Sequence, residues 1–222
     1  MQDRIEIIHG AIDGKINLEK KFDVVVAMGF IGYLPNDRIF FDAINNLLKP
    51  NGYLLVSCRN RLFNMNSISS KTETEIKNGE AIKLIKELKD LYAQIPREDA
   101  SRFIKSFKKI AENLSEKISF NKKSILSPSE KYAPYTAAPA SKFEQLRRQH
   151  TPKQLKATAL KYGFELLAYY GIHPHLMDPN LNKMFPPQLF NKMSGCLETL
   201  EHLPISLAWS SVFIGAFLKK AK

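Results

Sequence analysis

The sequence predicts an α/β fold. The prediction rests on the order of its apolar runs and on one amphipathic helix between the first two. The apolar run at 22–28 is typical of a strand buried on both faces. A helix and a second apolar run at 52–57 follow, and this order predicts two parallel strands joined by a right-handed crossover. Two later runs, 164–170 and 206–218, predict an antiparallel pair of strands at one edge of the same sheet.

The helix between the first two of these strands is marked at both ends. Asn36 is a suitable N-cap, with the acidic Asp37 in the first turn, and Pro50-Asn51-Gly52 predicts the end of the helix. Apolar residues recur there at three- and four-residue spacing, which predicts one face packed against a sheet. These residues are Ile39, Phe40, Ala43, Ile44, Leu47 and Leu48.

Two further segments complete the predicted core. The short apolar run Ile5 to Ile8 predicts a strand that leads into a turn at 10–14. Near the other end, Thr151 as N-cap, Pro152 at the first helical position and Gly163 at the stop delimit a helix before the strand at 164–170.

Two of these segments carry a resemblance to a known family. The motifs FDVVVAMGFIGYLP at 22–35 and LLKPNGYLLVS at 47–57 resemble class I S-adenosylmethionine (SAM)-dependent methyltransferases, from their fourth strand through their fifth. The motif HTPKQLKATALKYGF at 150–164 resembles the helix that leads those enzymes into their sixth strand. The resemblance implies a Rossmann-like methyltransferase sheet, SAM as the cofactor and methyl transfer to a small-molecule acceptor.

The domain organisation follows from where this resemblance lies. We expect residues 1–58 and 150–222 to form a partial methyltransferase core, and residues 59–149 to form a helical insertion, or lid, with a linker. Apolar stripes predict two helices within 78–118, separated at Pro96 and packed as a hairpin. Residues 121–141, with their prolines and serines, predict a loop.

The first half of the family's fold has no counterpart in these 222 residues. The glycine-rich cofactor loop and the acidic residue that binds the ribose are both missing. We therefore expect an N-terminally truncated chain whose sheet is incomplete in its N-terminal half and whose strand at 22–28 is an exposed edge. Such a chain is expected to bind SAM poorly and to be completed by a second copy or by a partner chain.

The cofactor candidates lie at two predicted strand ends, because ligands of open α/β sheets bind beyond the carboxyl ends of the strands. In the resembling family an acidic residue usually follows the glycine after the first strand, and here that position is Ala11. Gly29 permits a close backbone approach by a ligand. The cofactor-binding candidates are Gly10, Ala11, Ile12, Met28, Gly29 and Phe30.

The substrate and catalytic candidates come from the parts of the chain that would close over this site. Arg59, or alternatively Arg61, offers a fork-shaped donor to an anionic group. The substrate-binding candidates are Tyr33, Arg59, Asn60 and His150. His173 and His175 follow the strand at 164–170 and are the candidates for a general base.

Charge and composition leave two other functions open. The formal net charge is +11, and residues 59–150 alone hold 19 Lys and Arg against 11 Asp and Glu. No recognised nucleic-acid motif accompanies this charge, so a basic RNA-associated protein is the weaker alternative. A non-catalytic, methyltransferase-like protein that acts through a partner is the stronger one. Two cysteines, the lack of metal-ligand spacing and an apolar tract too short to span a membrane predict a cytoplasmic protein without a metal.

Overall fold

A computed structural model of the protein describes residues 5–12, 18, 20–117, 147–175 and 187–221. Its centre is one mixed sheet of four strands in the order β1-β2-β4-β3. β1 pairs in parallel with β2, and β4 runs antiparallel to both β2 and β3. The strands are β1 (Phe22–Ala27), β2 (Leu48–Arg59), β3 (Phe164–Pro174) and β4 (Ser210–Lys219). The predicted α/β class and both predicted pairings are confirmed.

Helices account for most of the remaining described residues. The helices are α1 (Asp37–Leu47), α2 (Phe63–Asn66), α3 (Ser70–Lys77), α4 (Ala81–Tyr92), α5 (Arg97–Lys117), α6 (Pro152–Lys161), α7 (Pro187–Gly195) and α8 (Ser206–Trp209). Single 3-10 turns lie at Ile31–Tyr33 and Cys196–Leu200. Within these ranges no helix is long and apolar enough to cross a membrane.

Helix α1 begins as predicted but ends earlier. The Asn36 side chain caps it by accepting a hydrogen bond from the Ile39 amide at 3.1 Å. The helix stops at Leu47, and Leu48 already pairs with Phe22 of β1. Residues 50–52 are therefore an irregular part of β2 and not a turn before it. Glycine is required at 52, because a Cβ there would lie 2.8 Å from the Leu48 side chain.

The end signals of α6 are confirmed. Thr151 and Gln154 form a reciprocal capping box, and Pro152 occupies the first turn. Gly163 has a φ of +84°, a left-handed conformation that ends the helix and that side chains rarely adopt. The chain then enters β3 directly at Phe164.

The predicted strand at 206–218 starts four residues later than expected. Residues 206–209 form α8, because side chains and not a neighbouring strand bind several of the carbonyl groups in this segment. Asn60 donates its side-chain amide to the carbonyls of Leu207 (2.5 Å) and Ser210 (2.9 Å), and the Ser210 hydroxyl donates to the Ser206 carbonyl at 2.7 Å.

The two faces of the sheet have different surroundings. One, the inner face, carries Val25, Leu54, Val56, Phe213 and Phe217, and it packs against the apolar sides of α1 and α6. The other, the outer face, carries Val24, Val26, Tyr53, Ile214 and Leu218, and its residues on β1 and β2 are widely exposed: Val24 is 49%, Val26 58% and Tyr53 49% exposed. Among the described residues β1 is also the end strand of the sheet, as the predicted exposed edge requires.

The prediction of a strand at Ile5 to Ile8 is wrong. These residues adopt no regular secondary structure, and Ile5 and Ile7 are 76% and 90% exposed. A single strand is stable only when a neighbour satisfies its backbone groups, and the sheet order leaves this segment unpaired.

The predicted insertion contributes to the same core. Leu84, Leu88 and Leu91 place one side of α4 in it. The ring of Trp209 lies 6.0 Å from that of Tyr92 on α4 and 6.1 Å from that of Phe103 on α5, measured between centroids. α4 and α5 therefore both pack against Trp209 of α8. The predicted loop at 121–141 lies outside the described residues.

Candidate functional site

A cleft opens at the carboxyl ends of β1 and β2, where α/β sheets bind their ligands. This β1–β2 cleft has a volume of about 200 Å³. Ligand sites for whole cofactors are commonly about 300–1,000 Å³, so the cleft has room for part of a cofactor or for a small acceptor. It is lined by Gly29, Gly32, Tyr33, Ser57, Cys58, Arg59, Arg147, Arg148 and Val212.

Gly29 forms the cleft wall at the end of β1. Its φ is +66°, a conformation that favours glycine, and its amide donates to the Ser57 hydroxyl oxygen at 2.7 Å. A Cβ at this position would have no atom of the described residues within 4 Å. The backbone is therefore fixed by Ser57 while the space in front of it stays open, which fits a ligand that approaches the main chain closely.

Arg148 closes the cleft on the other side by binding the turn after β1. Its amide donates to the Gly32 carbonyl at 2.9 Å, and its guanidinium donates to the carbonyls of Leu34 (2.7 Å) and Ile31 (3.0 Å). A Cβ on Gly32 would lie 2.8 Å from the Arg148 carbonyl oxygen, so this close approach explains why glycine occupies position 32.

The carboxylate of Asp37 binds the side chains of Arg148 and His150 behind the cleft. It accepts from Arg148 Nη1 at 2.7 Å and contacts His150 Nε2 at 2.9 and 3.0 Å. Burial acts to raise the pKa of Asp37, but the hydrogen bonds and charges of His150 and Arg148 outweigh it and lower the pKa below its usual value. His150 is 5% exposed, and no partner within the described residues contacts its Nδ1.

Asn60 and Arg61 act in the fold and not in the cleft. Asn60 is 1% exposed, and it ties β2 to the start of β4 through the bonds described above. Arg61 forms a two-bonded ion pair with the buried Glu75, at 2.9 and 2.6 Å, which lowers the pKa of Glu75. Between the two arginines considered for an anion, the structure thus leaves Arg59 at the cleft.

Tyr33 and Arg147 form the outer rim. The Arg147 guanidinium carbon lies 5.1 Å from the centroid of the Tyr33 ring, a cation–π distance. Tyr33 is 47% exposed, and Arg59 and Arg147 are exposed as well. The substrate candidates Tyr33 and Arg59 therefore meet in the cleft, whereas His150 lies behind it on Asp37.

The cofactor candidates are divided by the structure. Gly29 lines the cleft, and Met28 next to it is 48% exposed. Phe30 instead packs on the core, with its ring centroid 6.5 Å from that of Phe40. Gly10 and Ala11 are exposed and Ile12 is partly exposed, and none of these three residues lines the cleft.

The catalytic candidates lie at the carboxyl end of β3, which is at the same end of the sheet as the cleft. His175 follows β3, its amide donates to the Trp209 carbonyl at 2.9 Å, and its Nε2 lies 3.3 Å from the Ser211 hydroxyl. Its ring packs 5.1 Å from that of Phe63. The backbone of His173 belongs to β3, and its side chain lies outside the described atoms.

Several residues of this region were not predicted as site residues, among them Asp37, Ser57, Arg147 and Arg148. Arg147 and Arg148 directly precede the His150-Thr151-Pro152 helix start, and this position does not by itself indicate a cleft residue. The partnership of Asp37 with Arg148 joins residues more than a hundred positions apart, and a single sequence carries no pattern for it.

Two chemistries are disfavoured in the part of the chain that the structure describes. No group of three or more potential metal ligands occurs there. Burial, and to a smaller extent the charge of Asp37, raises the pKa of the Cys58 thiol far above neutrality. Cys58 is therefore a neutral thiol and not a thiolate nucleophile.

The cleft lies at the strand ends of the sheet, where α/β proteins bind their ligands, and one family model matches part of the chain. Residues 2–56 match the family model described as a methyltransferase domain. The predicted resemblance to SAM-dependent methyltransferases is confirmed in that segment, and SAM is the cofactor that this class uses. A search of curated proteins finds no match.

Several solved structures are similar to this chain. One is a protein assigned as a sarcosine dimethylglycine methyltransferase from Galdieria sulphuraria (12% identity, TM-score 0.39, 98% of this chain and 60% of that one). Another is PKMT2 from Rickettsia typhi in complex with AdoHcy (14%, TM-score 0.39, 96% and 38%). A second structure of that protein gives 15%, a TM-score of 0.35, and 92% and 37%. The chain thus spans less than two thirds of the length of these proteins.

Proposed function

We propose that this chain takes part in SAM-dependent methyl transfer to a small-molecule acceptor. The observation that carries the proposal is the match of residues 2–56 to a methyltransferase domain, since β1, α1 and most of β2 lie inside it. Gly29, Gly32 and Tyr33 of the β1–β2 cleft lie inside the matched segment, and Ser57 directly follows it.

Within the cleft, Gly29 is the residue that fits a cofactor best, because open space lies where its side chain would be. SAM supplies an electrophilic methyl group, and transfer needs chiefly an acceptor positioned in line with it. Gly29 and the exposed Met28 would contact the cofactor, while Tyr33 and Arg59 would hold the acceptor. His175, on the same edge, would accept a proton from an oxygen or nitrogen nucleophile.

The test compares two glycines with the same backbone conformation. Gly29 and Gly79 have φ values of +66° and +71°, and a Cβ on either would meet nothing within 4 Å. Gly29→Ala and Gly79→Ala therefore carry a similar conformational cost, but Gly79 lies in the turn between α3 and α4, away from the cleft.

SAM affinity, measured by calorimetry, and transfer of a labelled methyl group are the readouts. We expect Gly29→Ala to lower SAM affinity about tenfold or more, and Gly79→Ala to leave it unchanged. Equal effects of the two substitutions would mean that Gly29 is a turn residue only. No SAM binding and no transfer in any form of the protein, with or without a partner, would contradict the proposal as a whole.

A second candidate, a methyltransferase-like chain that works through a partner, is favoured by the open edge of the sheet. In the part of the chain that the structure describes, no strand lies beside the free side of β1, and Val24 and Val26 expose apolar surface. We propose that a second polypeptide, a further copy of this chain or another protein, completes the sheet at β1.

Light scattering and a matched pair of variants test this second candidate. A lysine at an exposed apolar position of β1, Val26→Lys, is expected to prevent association and to lower SAM affinity. Ile82→Lys places the same charge at a 62% exposed isoleucine of α4 and is expected to change neither. A wild-type protein that stays monomeric and binds SAM as tightly as the Val26→Lys variant contradicts assembly through β1.

A further inference from the structure

We propose that the β1–β2 cleft binds the anionic group of the acceptor, a carboxylate or a phosphate, between Arg59 and Arg147. This inference rests on the proposed function, because it names the chemical class of the molecule that is methylated. Its evidence is the balance of charge and of hydrogen-bond donors in the cleft.

The cleft has two positive charges without a counter-charge in the described residues. Three arginines line it, and Asp37 neutralises Arg148 at 2.7 Å. The ion pairs of the described residues include neither Arg59 nor Arg147, and the one recorded contact of the Arg147 guanidinium is with the Tyr33 ring. Two unpaired guanidinium groups on the rim of one small cleft attract an oxyanion, which both can bind with paired N–H donors.

A buried hydroxyl adds a third donor. Ser57 is 5% exposed and lines the cleft, and its oxygen accepts the Gly29 amide at 2.7 Å. A hydroxyl that accepts one bond still has a hydrogen to donate, and no acceptor for this hydrogen is recorded among the described residues. A ligand oxygen at the cleft would satisfy it.

The size of the cleft and its rim point to a small acid. A volume of about 200 Å³ lies below the range of about 300–1,000 Å³ that is common for ligand pockets, so the cleft suits a small molecule. The exposed ring of Tyr33 offers a flat apolar surface beside the two charges. The acceptor would thus be an organic anion with a flat or apolar body, oriented by its charged end.

Binding of simple probes, followed by NMR in the absence of SAM, tests the inference without any methyl transfer. Benzoate and phenyl phosphate carry the two candidate anions, and benzamide has nearly the shape of benzoate without its charge. We expect the two anions to shift the amide signals of Gly29 and Val212, with an affinity at least about tenfold above that of benzamide.

Substitution of each cleft arginine should weaken the binding of the anions about tenfold, in Arg59→Gln and in Arg147→Gln. Arg38→Gln is the matched control, because Arg38 is an exposed arginine of α1 with a surface partner, Asp42, and it is not part of the cleft. It should leave the affinity unchanged. Both cleft arginines are exposed, so the variants are expected to keep the wild-type amide spectrum elsewhere.

Several outcomes would overturn the inference while leaving the proposed function standing. These are equal affinity for benzamide and benzoate, or anion binding that neither arginine variant weakens. Competition between SAM and benzoate would assign the site to the carboxylate of the cofactor. Tighter binding of an RNA oligonucleotide, lost in both variants, would assign it to a nucleic acid. Conversely, anion binding as expected in a protein that transfers no methyl group would leave the inference standing and remove the proposed function.

Discussion

Val25 and Val26 are neighbours in β1, yet one is packed against the core and the other is 58% exposed. The same contrast separates the two faces along the sheet: Phe217 is fully buried on the inner face, and Leu218 beside it lies partly exposed on the outer face. Both faces have the apolar composition of a sheet that is covered on two sides. The apolar composition of a strand therefore does not show which of its two faces is packed against the rest of the described chain.

The largest expected effect is on the inner face. Phe217→Ala removes a fully buried ring at the centre of the sheet, and we expect it to lower the free energy of unfolding by about 3–5 kcal/mol. Leu218→Ala on the outer face should cost about 1 kcal/mol, because less surface leaves contact with the protein. Urea denaturation of both variants measures this, and equal losses would show that the outer face is covered in solution.

The next effect concerns the ion pair behind the cleft. Asp37→Asn leaves Arg148 without its counter-charge, and we expect a loss of about 2 kcal/mol in the free energy of unfolding. Asp42→Asn is the matched control on the same helix, since its pair with Arg38 is exposed, and it should change stability by no more than about 0.5 kcal/mol. Similar losses in the two variants would contradict a structural role for Asp37.

The contribution of Asp37 to stability is expected to depend on pH. The pKa of Asp37 is lowered in the folded protein, so its stabilising effect is fully present above the unfolded value of about 3.9 and is lost as pH falls through the folded value. We expect wild-type stability to fall more than that of Asp37→Asn between about pH 5 and pH 3. Glu75 also has a lowered pKa, but it is common to both proteins. Parallel pH profiles would show that Asp37 does not titrate with a lowered pKa.

The smallest effect tests the two valines. Val25→Thr places a hydroxyl against the core, and we expect a loss of about 1–2 kcal/mol. Val26→Thr makes the same chemical change in contact with solvent and should alter stability by less than about 0.5 kcal/mol. Thermal unfolding of the two variants compares them directly. A larger loss at Val26 would indicate that something covers this strand.

Local signals predicted much of this fold correctly. Asn36, Thr151 and Gly163 mark helix ends through contacts with their own neighbours, so one sequence suffices to find them. The start of β4 was missed because it depends on Asn60, a distant residue that binds the carbonyls of α8. Ile5 to Ile8 has the composition of a strand, but composition does not supply a pairing partner.

In the candidate site, too, local signals were predictable and contacts between distant residues were not. Gly29, Tyr33 and Arg59 follow strand ends, and strand ends are readable from apolar runs. Arg147 and Arg148 reach the cleft because the segment at 147–150 forms backbone hydrogen bonds with β2 and with the turn after β1. Such contacts between distant segments have no local pattern, which explains why these arginines were not predicted.

The position of β4 in the sheet has a consequence for the synthesis of the protein. β1 and β2 are made early, β3 much later, and the two parts are joined only through β4, which lies between β2 and β3. Until residues 210–219 have left the ribosome, the nascent chain holds a two-stranded ribbon and a lone strand, and both expose apolar edges. Because a two-stranded sheet is at best marginally stable, folding of the four-stranded sheet has to wait for residues 210–219.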